Sequence, residues 1–327
     1  MISPDTQLAT LVEEHPYMET WLEQNRVDVD ALRDVPLNEV SNSINMPWES
    51  FRHEVESYIL EMQSFLGLSE SGPKLQSIRI LPGQDKSGAP ENFEAIDLNL
   101  GDILTIVGPT GSGKSRLLAD IEWMAQGDTP TARRILINGE PPATEFRFGG
   151  TPNLVAQLSQ NMNFVMDLSV EEFLEMHAAS RQLPNPGHII ERVLKAANDL
   201  AGERFNPDMP ITSLSGGQSR ALMIADTAIL SQSPIVLIDE IENAGIQRKK
   251  ALELLVGESK IVLMATHDPV LALMGQRRIV IKNGGISKLL ETTSEERKVL
   301  AELEAMDISI QRVRQQLRLA QPITLQS

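Results

Sequence analysis

The eight residues GPTGSGKS, positions 108 to 115, lie between an apolar run, DILTIV, and a helical pattern, RLLADIEWM. No other stretch restricts the fold as strongly. A strand that turns into a helix through Gly108, Pro109, Thr110, Gly111, Ser112 and Gly113 leaves successive backbone N–H groups, those of Thr110 to Ser115, free to converge on an anion. Lys114 then reaches the β- and γ-phosphates and the Ser115 hydroxyl ligates Mg²⁺, the arrangement of G-x-x-x-x-G-K-[ST] in its required strand-to-helix context. A nucleoside triphosphate, ATP by default, with Mg²⁺ is the expected ligand.

A second run, PIVLIDE at 234 to 240, is an apolar strand that ends in two carboxylates. Ligands of open α/β sheets bind beyond such strand ends, so Asp239 is placed to hold Mg²⁺ through water, and Glu240 to orient or deprotonate an attacking water. DILTIVG, RRILING, KIVLMATH and RRIVIKNGG also read as strands, alternating with helical patterns. Several are too continuously apolar to have a wet face, which implies a mostly parallel sheet covered by helices.

At 327 residues the chain exceeds one ordinary core, and about two domains are expected. From Thr6 the pattern is helical, with Leu8, Leu11 and Val12 on one face, then Tyr17, Met18, Trp21 and Leu22 on another. A later run places Phe51, Val55, Tyr58, Ile59 and Met62 at spacings of three and four. The expected organisation is a small all-α domain over 1–66, a Gly/Ser/Pro linker over 67–73, an α/β domain over 74–290 and a C-terminal extension of one or two amphipathic helices with a tail over 291–327.

Composition removes several functions. The chain has no cysteine, so disulfides, thiolate metal sites and cysteine nucleophiles are all excluded. A net charge of −16 repels a phosphate backbone, which disfavours nucleic acid as a partner. No apolar run is long enough to span a bilayer, and the N-terminus lacks a basic start followed by an apolar segment. Direct membrane insertion is not expected; a cytoplasmic location is, with membrane association only through a partner.

LSGGQ, 214 to 218, precedes the apolar ALMIADTAIL. Ser215 can cap a helix buried through Leu222, Ala225 and Ile229, but a cap does not explain Gly216 and Gly217. A nearby phosphate does, because paired glycines let backbone N–H groups approach it. A phosphate loop, LSGGQ about a hundred residues later and a strand ending in Asp-Glu together resemble the ATP-binding cassette (ABC) ATPase family.

That resemblance covers about two thirds of the chain. It implies a P-loop NTPase fold of the ABC type with a helical signature subdomain, and ATP hydrolysis between two cassettes. Ser215, Gly216, Gly217 and Gln218 would contact the ATP held by the opposite subunit. One such set per chain implies a homodimer or pairing with another cassette. Gln160 resembles the family's Mg²⁺- and water-contacting glutamine, with Gln157 as rival, and His267 resembles the histidine that contacts the γ-phosphate.

The chain also departs from the family pattern. Arg116 follows the hydroxyl where Ser or Thr is usual, which adds an α-phosphate contact. NAGI at 243–246 puts Ile246 where an aspartate is customary, and KLQSIRILPGQDKSGAPEN offers no aromatic to stack on adenine; Phe93 reads as a core residue. The N-terminal segment resembles the small helical domain found with hybrid-cluster and iron–sulfur repair proteins, but lacks cysteine, which favours protein docking. The functional expectation is an ATPase that drives conformational change in a soluble partner, in enzyme maturation, activation or repair. The alternative is an ATP-binding subunit of a transporter with separate membrane subunits.

Overall fold

The computed structural model describes residues 2–65, 75–148, 154–159, 164–181, 183, 186–239, 246–318 and 320–323. These form two compact units. The first gathers Met1–Leu75, Ala143–Leu154 and Met162–Ser233; the second gathers Gln76–Pro142, Val155–Asn161 and Pro234–Ser327.

The first unit opens with four helices, α1 (Leu8–Glu14), α2 (Met18–Gln24), α3 (Leu37–Ser43) and α4 (Trp48–Phe65). Leu8, Leu11, Met18, Leu22, Leu37, Phe51 and Val55 are buried together, and Trp21 meets Phe51 edge-on with ring centroids 5.8 Å apart. The same unit contains α6 (Thr144–Phe148), α7 (Val170–Ser180), α8 (Gly187–Leu200) and α9 (Gly216–Ile229). Ser169 begins α7 and Ser215 begins α9 with the same device, a serine that accepts from the third helical N–H while that residue's side chain accepts from the serine N–H.

The second unit contains two sheets. Strands β1 (Ser77–Leu81), β2 (Ile96–Asn99) and β4 (Arg134–Ile137) form an antiparallel sheet in the order β2-β1-β4. Burial alternates along β1 and β2, with Ile78, Ile80, Ile96 and Leu98 inward and Arg79 paired with Asp97 on the wet face at 2.5 Å. RRILING therefore lies outside the parallel sheet. Its strand begins with an exposed arginine, a pattern suited to one buried face.

The larger sheet has the order β5 (Val155–Leu158), β6 (Ile235–Asp239), β7 (Ile261–Ala265), β3 (Ile103–Val107), β8 (Arg277–Lys282), β9 (Gly285–Glu291). All neighbours are parallel except the β8–β9 hairpin. β7 is buried at every position, and β3 and β6 at four of five, because helices cover both faces. The covering helices of this unit are α5 (Lys114–Glu122), α10 (Arg248–Gly257) and α11 (Pro269–Met274), followed by one long C-terminal helix, α12 (Ser294–Arg318). Phe93 is half-buried rather than in the core. Among the described residues no helix is long and apolar enough to cross a membrane.

Candidate active site

β3, β6 and β7 run parallel in register, with Ile106 and Asp239 both paired to Ala265. Their carboxyl ends therefore deliver three things to one edge: the loop 108–113, Asp239 and, two residues past β7, His267. The loop takes its shape from its glycines. Gly108, Gly111 and Gly113 have φ of 153°, 74° and 111°, conformations that exclude most side chains. At Gly108 and Gly113 space is closed as well, since an added Cβ would lie 2.5 Å from the Ile281 carbonyl oxygen and 2.8 Å from Cα of Gly284.

Those contacts identify a support that the sequence pattern did not reveal. The turn of the β8–β9 hairpin, Asn283 and Gly284, has φ of 50° and 81°, as a two-residue type I′ turn requires. Gly284 N–H donates to the Ser112 carbonyl at 2.6 Å. Lys86 lies on the same turn: its N–H donates to the Asn283 carbonyl at 2.9 Å and its ammonium donates to the Gly111 carbonyl at 3.0 Å. Asp85 secures the Lys86 loop by accepting from the Ser87 hydroxyl and from Asn283, which holds its carboxyl at about 2. The Asn-Gly pair within KNGG was the one available signal.

Behind the turn, Arg133 is fully buried and donates to Glu91 at 2.6 Å, Asp120 at 2.8 Å and the Gly284 carbonyl at 2.9 Å. Burial works against its charge, but the bonds to the two carboxylates win and hold its pKa above that of an ordinary arginine. A buried charge is tolerated only with such partners.

The loop faces a cavity of about 420 Å³ lined by Thr110, Gly111, Gly113, Lys114, Ser115, Arg116 and Asp239. Lys114 is buried, and its ammonium donates to the Gly108 carbonyl at 3.0 Å and to Nε2 of His267 at 2.9 Å. Since an ammonium only donates, Nε2 accepts, and the imidazole proton sits on Nδ1. The hydroxyl of Ser115 lies 3.4 Å from Oδ2 of Asp239. Ser112 Oγ is buried and has no hydrogen-bond partner among the described residues. A hydroxyl beside a carboxylate suits Mg²⁺, which takes hard oxygen ligands and keeps several waters or phosphate oxygens of its own. The loop N–H groups and the lysine suit phosphates, although Ser112 N–H already donates to the Pro109 carbonyl at 3.1 Å.

At the other predicted motif, Ser215 Oγ accepts from Gln218 N–H at 3.4 Å, and Gln218 Oε1 accepts from Ser215 N–H at 2.8 Å. Gln218 also donates to the Glu203 carbonyl at 3.3 Å, so its side chain secures the start of α9. Gly216 is exposed, has no left-handed backbone and would meet nothing within 4 Å if it carried a Cβ. The folded chain itself gives no reason for glycine there. Gln157 is an exposed residue of β5. Gln160, Glu240 and residues 241–245 lie outside the described residues, whereas Ile246 is half-buried just ahead of α10.

A parallel sheet that carries a glycine cradle, a buried lysine, a serine and a strand-end aspartate at one edge defines a P-loop nucleoside-triphosphatase. The ABC transporter family model matches residues 94–243. An uncharacterized ABC transporter ATP-binding protein of Methanocaldococcus jannaschii is 51% identical over 251 residues, which is 77% of this chain and 96% of that protein. The sn-glycerol-3-phosphate import ATP-binding protein UgpC of Paracoccus denitrificans is 26% identical over 203 residues, and the match spans 54% of it, about half its length. Among solved structures, cbiO1 of Clostridium perfringens, part of the ABC transporter complex cbiONQ, superposes with a TM-score of 0.51 at 22% identity, over 74% of this chain and 98% of that one. The chain belongs to the ABC-type ATPase family, and it is an ATP-binding and ATP-hydrolysing cassette.

Proposed function

We propose that this cassette is the ATP-binding subunit of a transporter whose membrane-spanning subunits are separate chains. The relative that is 51% identical over nearly its whole length, itself named as a transporter ATP-binding protein, carries this reading. Two cassettes, two copies of this chain or this chain and another, would close over two ATP molecules. The exposed Gly216, glycine without a local cause, supports a partner's phosphates approaching the Ser215–Gln218 segment.

In the proposed mechanism Lys114 releases His267 and the Gly108 carbonyl to bind the β- and γ-phosphates, while the loop N–H groups and Arg116 hold the remaining phosphate charge. Ser115 and Asp239, with Gln160, would hold Mg²⁺, which when bound neutralises charge developing on the phosphate oxygens. Glu240 orients a water and takes its proton as the water oxygen attacks the γ-phosphorus. The bond to the β–γ bridging oxygen breaks and ADP leaves with that electron pair. His267, freed from Lys114, hydrogen-bonds the γ-phosphate. Phosphate release then reopens the pair and moves what is docked on it. The protein itself is read as cytoplasmic, reaching the membrane through those subunits.

A second reading keeps the same ATPase but gives it a soluble partner. The observation that favours it is the helical N-terminal segment, 1–66 in this reading, whose own buried core runs from Leu8 to Ile59 and which suits protein docking. Affinity capture with the Glu240→Gln chain, ATP and Mg²⁺ separates the two. Recovery of a polytopic membrane protein supports the transporter; recovery of a soluble enzyme or maturation factor overturns it in favour of remodelling. Unchanged turnover in Glu240→Gln would remove the assignment of the general base.

A further inference from the structure

We propose that the exposed apolar stripe of α12 pairs, antiparallel, with the same stripe of a second copy of this chain, forming a dimer contact that needs no nucleotide. α12 runs 25 residues, about 37 Å at 1.5 Å per residue. Along it Val299, Leu303, Met306, Ile310, Val313 and Leu317 follow one another at alternating steps of four and three, the seam spacing of a two-stranded coiled coil. Leu303 is half-buried, and the other five seam residues are exposed. Val299 is 48%, Met306 60%, Ile310 51% and Leu317 62% exposed.

The first half of the helix is anchored to its own unit. Glu296 pairs with Arg278, Lys249 with Glu304 at 3.1 Å, and Arg248 with Asp307 at 2.9 Å. The stripe lies beside these anchors rather than beneath them, and Val299 and Met306 are exposed even there. From Ile308 to Arg318 the described side chains are nearly all exposed. A helical stretch of this length whose described apolar side chains are exposed is marginal in water, and covering the seam is what would hold it.

Charge selects the occupant and its direction. Between Glu295 and Asp307 there are five acidic and two basic residues; between Ile308 and Arg318 there are three arginines and no acid. Antiparallel pairing lays each arginine-bearing end along the acidic half of the other copy, whereas parallel pairing stacks like on like. It also sets Leu317 opposite Val299 and Ile310 opposite Met306, so every seam position is covered once. One two-fold axis then satisfies both copies, the commonest closure for a homodimer.

The absence of cysteine makes the test clean. Sedimentation of the full chain without nucleotide should give a dimer, and Ile310→Asp with Leu317→Asp should raise its dissociation constant at least about a hundredfold. A parent chain that sediments as a monomer, or a double variant that still dimerises, overturns the proposal. Direction is read with Glu302→Cys and Gln316→Cys chains and a short bismaleimide. Antiparallel pairing cross-links a mixture of the two more than either alone; efficient cross-linking of Glu302→Cys to itself, or no cross-linking at all, overturns it. Neither cysteine replaces a seam residue, so this arm stands even if the double variant fails to fold. ATP-driven closure is scored separately: the double variant should still associate on adding ATP if carrying the Glu240→Gln change, so failure of the α12 contact and failure of the ATP-dependent pairing are distinguishable.

Discussion

The ammonium of Lys114 lies 2.9 Å from Nε2 of His267, 153 residues further along the chain. One hydrogen bond thus joins the lysine proposed to bind the phosphates to the histidine proposed to contact the γ-phosphate. The two side chains share a single place, and a phosphate must compete with imidazole for the ammonium. His267→Ala is expected to lower turnover by about two to three orders of magnitude while leaving nucleotide affinity near that of the parent. Phosphate release measured beside equilibrium nucleotide binding checks the split; equal losses in both would show that His267 serves binding instead.

Gly216 separates folding from function. Its backbone is helical and open space surrounds the missing Cβ, so Gly216→Ala should leave the melting temperature unchanged or raise stability by about 0.4–1 kcal/mol through a less flexible unfolded chain. Turnover should nevertheless fall at least about tenfold, because the methyl obstructs a phosphate brought by the opposite cassette. Parent-like turnover would contradict the trans contact.

The β8–β9 turn should matter to nucleotide binding although it carries no predicted ligand. Gly284 has φ of 81°, and a Cβ there would lie 2.7 Å from Lys86 Cγ. Gly284→Val is expected to shift the turn away from Gly113 and Ser112 and weaken ATP binding at least about tenfold, since displacement of a phosphate contact by an ångström has that scale of cost. Titration of a fluorescent ATP analogue measures it.

Arg133→Met should destabilise the second unit by about 3–5 kcal/mol, because Glu91 and Asp120 would remain buried without their cation. Denaturant unfolding provides the measurement. Replacing all three by apolar residues of similar volume should recover much of the loss.

His15 gives the N-terminal helices a pH dependence. Burial pushes its pKa below the ordinary 6.5, against an opposing pull from Glu14. The unfolded chain therefore binds the proton more readily than the folded one, so stability is full above about 6.5 and declines as pH falls through and below that value. Thermal melts of the chain between pH 7.5 and pH 5 should show the decline, and His15→Gln should flatten it.

Much of the candidate site was legible because its requirements are local. Gly108 to Ser115 must be contiguous, since one loop has to aim consecutive N–H groups at one anion, and Asp239 must end an apolar strand. The helical faces of Leu8, Leu11, Trp21, Phe51 and Val55 were equally plain, because periodic burial is written at spacings of three and four. LSGGQ posed a choice between a cap and a phosphate contact, and the structure shows the cap while leaving Gly216 without a local reason.

What the sequence alone determined, then, is whatever depends on near neighbours along the chain: the cradle, the strand-end carboxylate, the capping serine and the apolar periods. Tertiary structure decided the partners that meet across it. It brought Lys86 to Gly111, Gly284 to Gly113, Arg133 to Glu91 and Asp120, and His267 to Lys114, and it sent the Arg134–Ile137 strand to the antiparallel sheet. The reason is physical. Backbone conformation and helix faces follow from short-range sterics and hydrogen bonding, whereas pairing of distant polar groups is fixed only when strand order and burial exclude water and leave each buried charge a single set of partners.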